Sequence, residues 1–282
     1  MKKIAKTLAL VSLCLILAGG VLVGIWMLRD GDWKTHWENG GFSLSWNFGS
    51  DTLRGYTVCE DGTLRFDASE VKKLGLSWYA GAVEIRTGAG GHVTLTESAK
   101  RTLDSDEKMC WKLEKGRLSV AAGQKRAGVW DPPEKTLIVT VPTGWVADEL
   151  NCDLLSASLL AEGVRAKKLS ADTMSGAVTL SDVEAGHISV DTMSGAVTLR
   201  QSGEDGEVKI NSASGDVALE LTKAARGQHI CVDTMSGDVR LKLDGPVELD
   251  FDSMSGKIRG EYTVGEGPKV TVNTASGDLI IE

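Results

Sequence analysis

From residue 150 onward, apolar and polar residues alternate in short runs. Ile188, Val190 and Thr192 alternate with Ser189, Asp191 and Met193; after Ser194-Gly195 the alternation resumes with Val197 and Leu199. The same period of two recurs at Val208/Ile210, Val217/Leu219/Leu221, Ile230/Val232 and Val239/Leu241/Leu243. It continues through Val247/Leu249/Phe251, Val270/Val272 and Leu279/Ile281. A period of two is that of a strand with one buried face. Each unit therefore reads as strand, turn, strand.

The turns repeat. Clear copies begin at Asp172, Asp191, Asn211, Asp233, Asp252 and Asn273, each with Ser-Gly at its fourth and fifth positions, and a degenerate copy begins at Asp153. A period of 19 to 22 residues with a short motif marks a solenoid. Such units are too short for a βαβ crossover. The predicted architecture is an all-β parallel solenoid of ~20-residue rungs stacked about 4.8 Å apart. The glycine is expected to supply backbone freedom in the turn. The Asp or Asn four residues earlier is expected to accept a backbone N–H two residues on.

Upstream, Leu74, Leu76 and Trp78 alternate, and Ser77 to Val83 align loosely with the repeat. His92–Leu95, Leu118–Val120 and Leu137/Val139/Val141, ending at Pro142, read as further strands. Residues 70–146 are expected to cap the solenoid of residues 147–282.

Leu8 to Leu28 is a 21-residue run without a charge, long enough to cross a bilayer as one helix. Lys2, Lys3 and Lys6 precede it, so residues 1–7 are expected in the cytoplasm and residues beyond 28 outside the cell. Trp26, Trp33 and Trp37 suit the outer interface, and residues 29–69 form a juxtamembrane segment. A cleaved signal peptide is the alternative, although the run is long for one and shows no clear cleavage site.

Composition sharpens this division. All eight tryptophans precede residue 146, as expected if a narrow rung core has little room for indole. From residue 150 onward there are 12 Lys/Arg and 21 Asp/Glu, so the net charge of −8 belongs almost wholly to the repeats. An acidic chain without a basic patch is not a nonspecific nucleic-acid binder. Cys14 lies in the apolar run; Cys59, Cys110, Cys152 and Cys231 form no C-x-x-C pair, which argues against a structural zinc site. A Cys59–Cys110 bridge is one option, and Cys152 falls at an inward position.

Trp78…Gly81-x-Val-x-Ile85, the Leu137–Pro142 strand and the serial Ser-Gly-x-Val turns resemble the putative-adhesin β-strand-repeat family of bacterial envelope proteins, which includes the LiaG-like proteins. The resemblance covers roughly residues 70–282. It implies an envelope location and a repeat architecture. It also implies a place near envelope-stress signalling systems, and it carries over no catalytic residue.

Three outward columns are candidate chemistry. The first is Asp153, Asp172, Asp191, Asn211, Asp233, Asp252 and Asn273, either turn caps or, with their carboxylates clustered, oxygen ligands for a cation such as calcium. The second is Lys168, His187, Glu207, His229, Glu248 and Lys269, either a ladder of complementary charges or, at His187, Glu207 and His229, a weak zinc or copper site. The third is Leu155, Met174, Met193, Ala213, Met235, Met254 and Ala275, either packing or an adaptable docking stripe.

No nucleophile elbow or phosphate loop accompanies the four histidines, and Thr87–Gly91 lacks the phosphate-loop lysine. Near-minimal rungs argue against the cleft of a carbohydrate-active β-helix enzyme. The expectation is a single-pass membrane protein with a non-catalytic extracytoplasmic solenoid and no cofactor. Its expected partners are envelope proteins or a cell-wall component, as a signalling accessory or a surface adhesin. The last rung, Asn273 to Glu282, has no visible cap and is expected to favour end-to-end association.

Overall fold

The computed structural model describes residues 53–123, 132–202, 206–222 and 227–282. The expected membrane helix and most of the juxtamembrane segment lie outside them. The strands belong to one unit, Gly55–Gln124 with Pro132–Glu282. The described residues form two sheets and no helix.

The N-terminal strands are β1 (Thr57–Val58), β2 (Thr63–Asp67), β3 (Lys73–Trp78), β4 (Gly81–Gly88), β5 (His92–Ala99), β6 (Cys110–Glu114), β7 (Arg117–Ala121), β8 (Lys135–Pro142) and β9 (Val146–Ala147). The repeats give paired strands, one in each sheet: β10 (Glu149–Leu154) with β11 (Ser158–Glu162), and β12 (Arg165–Thr173) with β13 (Val178–Ser181). Next come β14 (Glu184–Thr192) with β15 (Val197–Ser202), β16 (Glu207–Ser212) with β17 (Val217–Thr222), and β18 (His229–Thr234) with β19 (Val239–Leu243). The chain ends with β20 (Val247–Ser253), β21 (Ile258–Arg259), β22 (Val264–Thr274) and β23 (Leu279–Ile281).

Rungs stack in parallel and in register. Ile188 faces Leu169 on one side and Val208 on the other; Val197 faces Val178 and Val217. Each inward Val, Ile or Leu contributes about 1.5–3 kcal/mol when fully buried, and these columns run unbroken from Leu74 to Val270 and from Val83 to Leu279. Ser77 to Val83 does form a repeat-like rung, since Ser77 pairs with Asp153 and Val83 with Leu159. Trp78 is fully buried at the inward position shared by Leu154 and Thr173.

The N-terminal end turns antiparallel. β6 and β1 extend one sheet beyond β7; β5 and β2 extend the other beyond β8. Phe66 and Trp111 meet edge to face at 4.9 Å. The same end holds a buried ion pair: Lys135 Nζ donates to Glu97 Oε1 at 2.6 Å, to the Glu107 carbonyl at 2.6 Å and to the Ala122 carbonyl. The ammonium lies 4.6 Å from the Trp78 ring centroid, and the Trp78 indole N–H donates to the Lys135 carbonyl. Glu97 also accepts the Met109 N–H. The pair thus ties β5, β8 and the 104–109 turn together with its polar atoms satisfied.

The order of rungs at the other end departs from the sequence order. β22 pairs with β18 on one side and β20 on the other, and β23 lies between β19 and β21. The last rung in sequence is therefore interior. The expectation of an open edge at Asn273–Glu282 is corrected: the outermost strands are β20 and β21.

A carboxylate ladder as the candidate functional site

Every residue of the Asp-Thr-Met-Ser-Gly motif has a separate task. The second position points inward and is buried at Thr173, Thr192, Ser212, Thr234 and Thr274. Its hydroxyl caps the turn. The Gly176, Gly195 and Gly277 N–H groups donate to Thr173, Thr192 and Thr274 Oγ1 at 2.8–2.9 Å. The Ser212 hydroxyl donates to the Gly215 carbonyl at 2.8 Å. The turn cap is thus this hydroxyl, rather than the preceding Asp or Asn as the sequence led us to expect.

The motif serine joins rungs. Ser194 and Ser214 hydroxyls donate to the Met174 and Met193 carbonyls, one rung back. The glycine is required by close approach rather than by a left-handed backbone. A Cβ on Gly195 would lie 2.0 Å from the Gly176 carbonyl oxygen, and one on Gly215 would lie 2.0 Å from that of Gly195. Ala157 follows Gly81 in this column, and its carbonyl lies where a Cβ on Gly176 would fall.

Freed from capping, the first position forms a ladder on the outer face of the first sheet. Its spatial order is Ser77, Asp153, Asp172, Asp191, Asn211, Asp233, Asn273, Asp252. Amides separate carboxylates in the second half. Asn211 Nδ2 donates to Asp191 Oδ1 at 2.5 Å, and Asn273 Nδ2 donates to Asp233 Oδ1 at 2.8 Å. No amide separates Asp153, Asp172 and Asp191.

Those three half-buried carboxyls titrate high. Burial pushes Asp153 up to about 6. Burial, then the charges of Asp191 and Asp153, push Asp172 up to about 8. Asp191 is also raised by burial, against the opposing hydrogen bond from Asn211. The Asp172 and Asp191 carboxyls are coupled: their interaction raises Asp172 and opposes the rise of Asp191. In this half of the ladder the carboxyls are half-buried and do not cap the turns. Among the described residues no group of three or more His, Cys, Asp or Glu has an arrangement that could hold a metal ion.

The second column is continuous: Lys168, His187, Glu207, His229, Lys269, Glu248. His187 Nδ1 approaches Glu207 Oε2 at 3.3 Å with both side chains exposed, a surface pair in a ladder of mixed charges. In the third column Leu155, Met174, Met193, Met235 and Ala275 are half-buried, Ala213 is buried, and Met254 alone is exposed, so most of the column packs. Cys59, Cys110 and Cys152 are buried free thiols, and Cys231 is a half-buried one. Cys110 pairs with Val58 and the Cys59 N–H binds the Met109 carbonyl, one step out of register.

A fourth column escaped the sequence reading. Asp216, Asp238 and Asp278 follow the motif glycine, and each carboxylate accepts a backbone N–H from the adjacent rung. The donors are Asp238, Asp278 and Lys257, at 2.9–3.0 Å. The signal was present as Ser-Gly-Asp in three copies. On the second sheet, Glu220 bridges Arg200 and Lys242 at 2.8 Å each.

The parallel two-sheet stack runs from the Trp78 rung to the C-terminus, and its hydroxyl-capped Ser-Gly turns begin at Thr173. The profile of one family, Toastrack DUF4097, matches residues 71–282. The chain belongs to the Toastrack DUF4097 family. The matched span coincides with that of the adhesin-like resemblance read from the sequence. No curated protein matches the chain. Among solved structures, the Toastrack chain is similar to a putative cell adhesion protein from Clostridium sporogenes, at 12% identity and TM-score 0.38 over 78% of this chain and 96% of that one. It is similar to a putative adhesin from Bacteroides fragilis, at 15% identity and TM-score 0.44 over 78% and 96%. It is also similar to a putative lipid binding protein from Parabacteroides distasonis, at 13% identity and TM-score 0.43 over 77% and 95%.

Proposed function

We propose that this Toastrack protein is a non-catalytic interaction scaffold, held at the outer face of the cell membrane by residues 8–28. The observation that carries the reading is the continuity of the outer faces. Strands within a rung are joined by turns as short as Met174–Ala177, and rungs by turns as short as Asp182–Val183. Side chains on the outer faces are therefore locked in register from rung to rung, a surface suited to recognising an extended partner. The charge-free run after three lysines supports the anchor and its orientation. The partner is an envelope protein, and the role is that of a signalling accessory.

Photo-crosslinking in native membranes tests this, with a crosslinkable residue at Thr179 or Ser189 on the outer faces. Capture of membrane signalling proteins is expected. Capture of external ligands alone would replace the accessory role with adhesion. Turnover of an envelope polysaccharide by the purified protein would overturn the non-catalytic reading.

A further inference from the structure

The two ends of the stack are finished differently. The N-terminal end turns antiparallel and stops at β1 and β2, beside a buried ion pair. The C-terminal end stops at β20 and β21, whose outer edges meet no strand among the described residues. Leu249 and Phe251, which continue inward core columns, are only half-buried there, and Ile258 is exposed. Met254 and Val264, beside them, are 62% and 75% exposed. An uncapped solenoid end is a template for pairing.

The interior columns specify what would continue the stack. Opposite Glu248 on its inner side stands Lys269, and opposite Asp252 stands Asn273. The last rung presents Glu248, Asp250 and Asp252 together on the exposed face of β20. The next strand would need cations or an amide at these three places, with apolar residues opposite Leu249 and Phe251. On the other sheet, Asp278 accepts the Lys257 N–H, and Lys257 ends that column. A carboxylate in the next rung would meet it. A second copy paired edge to edge through β20 would set the three carboxylates against their own kind, which is destabilising. A second copy's N-terminal end presents the two-residue β1 and the antiparallel β2 in place of such a rung.

We propose that the β20/β21 end is a docking site for a strand–turn–strand segment of another protein. Its first strand alternates Lys or Arg with Val or Ile, and an acidic residue opens its second strand. Main-chain pairing supplies affinity and the acidic edge supplies selectivity. This goes beyond the scaffold reading and does not depend on the membrane anchor.

The test uses purified full-length protein and a labelled twelve-residue probe, Lys-Val-Lys-Val-Asn-Thr-Ala-Ser-Gly-Asp-Leu-Ile. A control probe carries Glu at the first and third positions. Anisotropy should show the basic probe binding at least ten-fold tighter, by an amount that shrinks with salt. Amide exchange of Glu248–Ser253 should slow on binding. The double variant Glu248→Lys/Asp250→Lys should reverse the preference, and its unchanged thermal unfolding would show that it folds. Equal binding of both probes, or none at millimolar concentration, would overturn the proposal. So would self-association of the protein through this edge.

Discussion

Asn273 Nδ2 donates to Asp233 Oδ1 at 2.8 Å, although the repeat beginning at Asp252 lies between them in the sequence. The bond exists because the final rung is inserted between two earlier ones. It places an amide between the carboxylates of Asp233 and Asp252, where sequence order would have made them neighbours. Charge relief and rung order are therefore one arrangement.

Where no amide intervenes, stability should depend on pH. The folded pKa values of Asp153 and Asp172, about 6 and about 8, lie above the ordinary carboxylate value. The folded state therefore binds protons more tightly than the unfolded state. This stabilisation is complete below about pH 4, and is lost as pH rises through about 6 and then about 8. Glu149 and Asp278 are lowered and act oppositely, losing their contribution as pH falls below about 4. Urea unfolding should show a maximum near pH 5 and ~2 kcal/mol less stability at pH 8.5, half-burial tempering the effect. Asp172→Asn should flatten the alkaline slope.

Glycine in the turn should be irreplaceable for a steric reason. Gly195→Ala would drive a methyl to 2.0 Å from the Gly176 carbonyl oxygen and should cost more than ~3 kcal/mol. Gly245→Ala meets nothing within 4 Å and should change stability by less than ~0.5 kcal/mol. Thermal unfolding of both variants, compared at one pH, checks the contrast.

The hydroxyl beneath each Ser-Gly turn should be replaceable only by another hydroxyl. Thr192→Val leaves the buried Gly195 N–H without its acceptor and should cost about 1–3 kcal/mol. Thr192→Ser should fall within about 0.5 kcal/mol, because Ser212 already fills the equivalent place. Denaturant midpoints report both.

The buried pair at the N-terminal end should be costly to break singly. Glu97→Ala leaves the Lys135 ammonium with two carbonyls and the Trp78 ring but no bonded carboxylate, and should cost about 3–5 kcal/mol. Glu97→Leu combined with Lys135→Met should recover part of that loss. A double-mutant cycle by chemical unfolding measures the coupling.

The sequence carried the repeat architecture well because period-two alternation and a 20-residue spacing are local signals. Ser77–Val83 was legible as a rung for the same reason. Rung order was not legible, since β20 and β22 carry equivalent patterns and only long-range pairing separates them. The Asp column was visible, but its task was misassigned. An Asp and a Thr side by side are both competent turn caps, and burial of the Thr decides between them. Lys135 and Glu97 carried no sequence signal as a pair, because the fold alone joins β5 to β8.

Rung order is tested most directly by engineered cysteine pairs in a Cys231→Ser background. Adjacent rungs lie about 4.8 Å apart and alternate rungs about twice that, beyond the reach of a disulfide. Asp233→Cys with Asn273→Cys should oxidise readily, as should Asn273→Cys with Asp252→Cys. Asp233→Cys with Asp252→Cys should stay reduced under the same conditions. A disulfide in that last pair, with none at 233–273, would restore sequential stacking and contradict the inserted C-terminal rung.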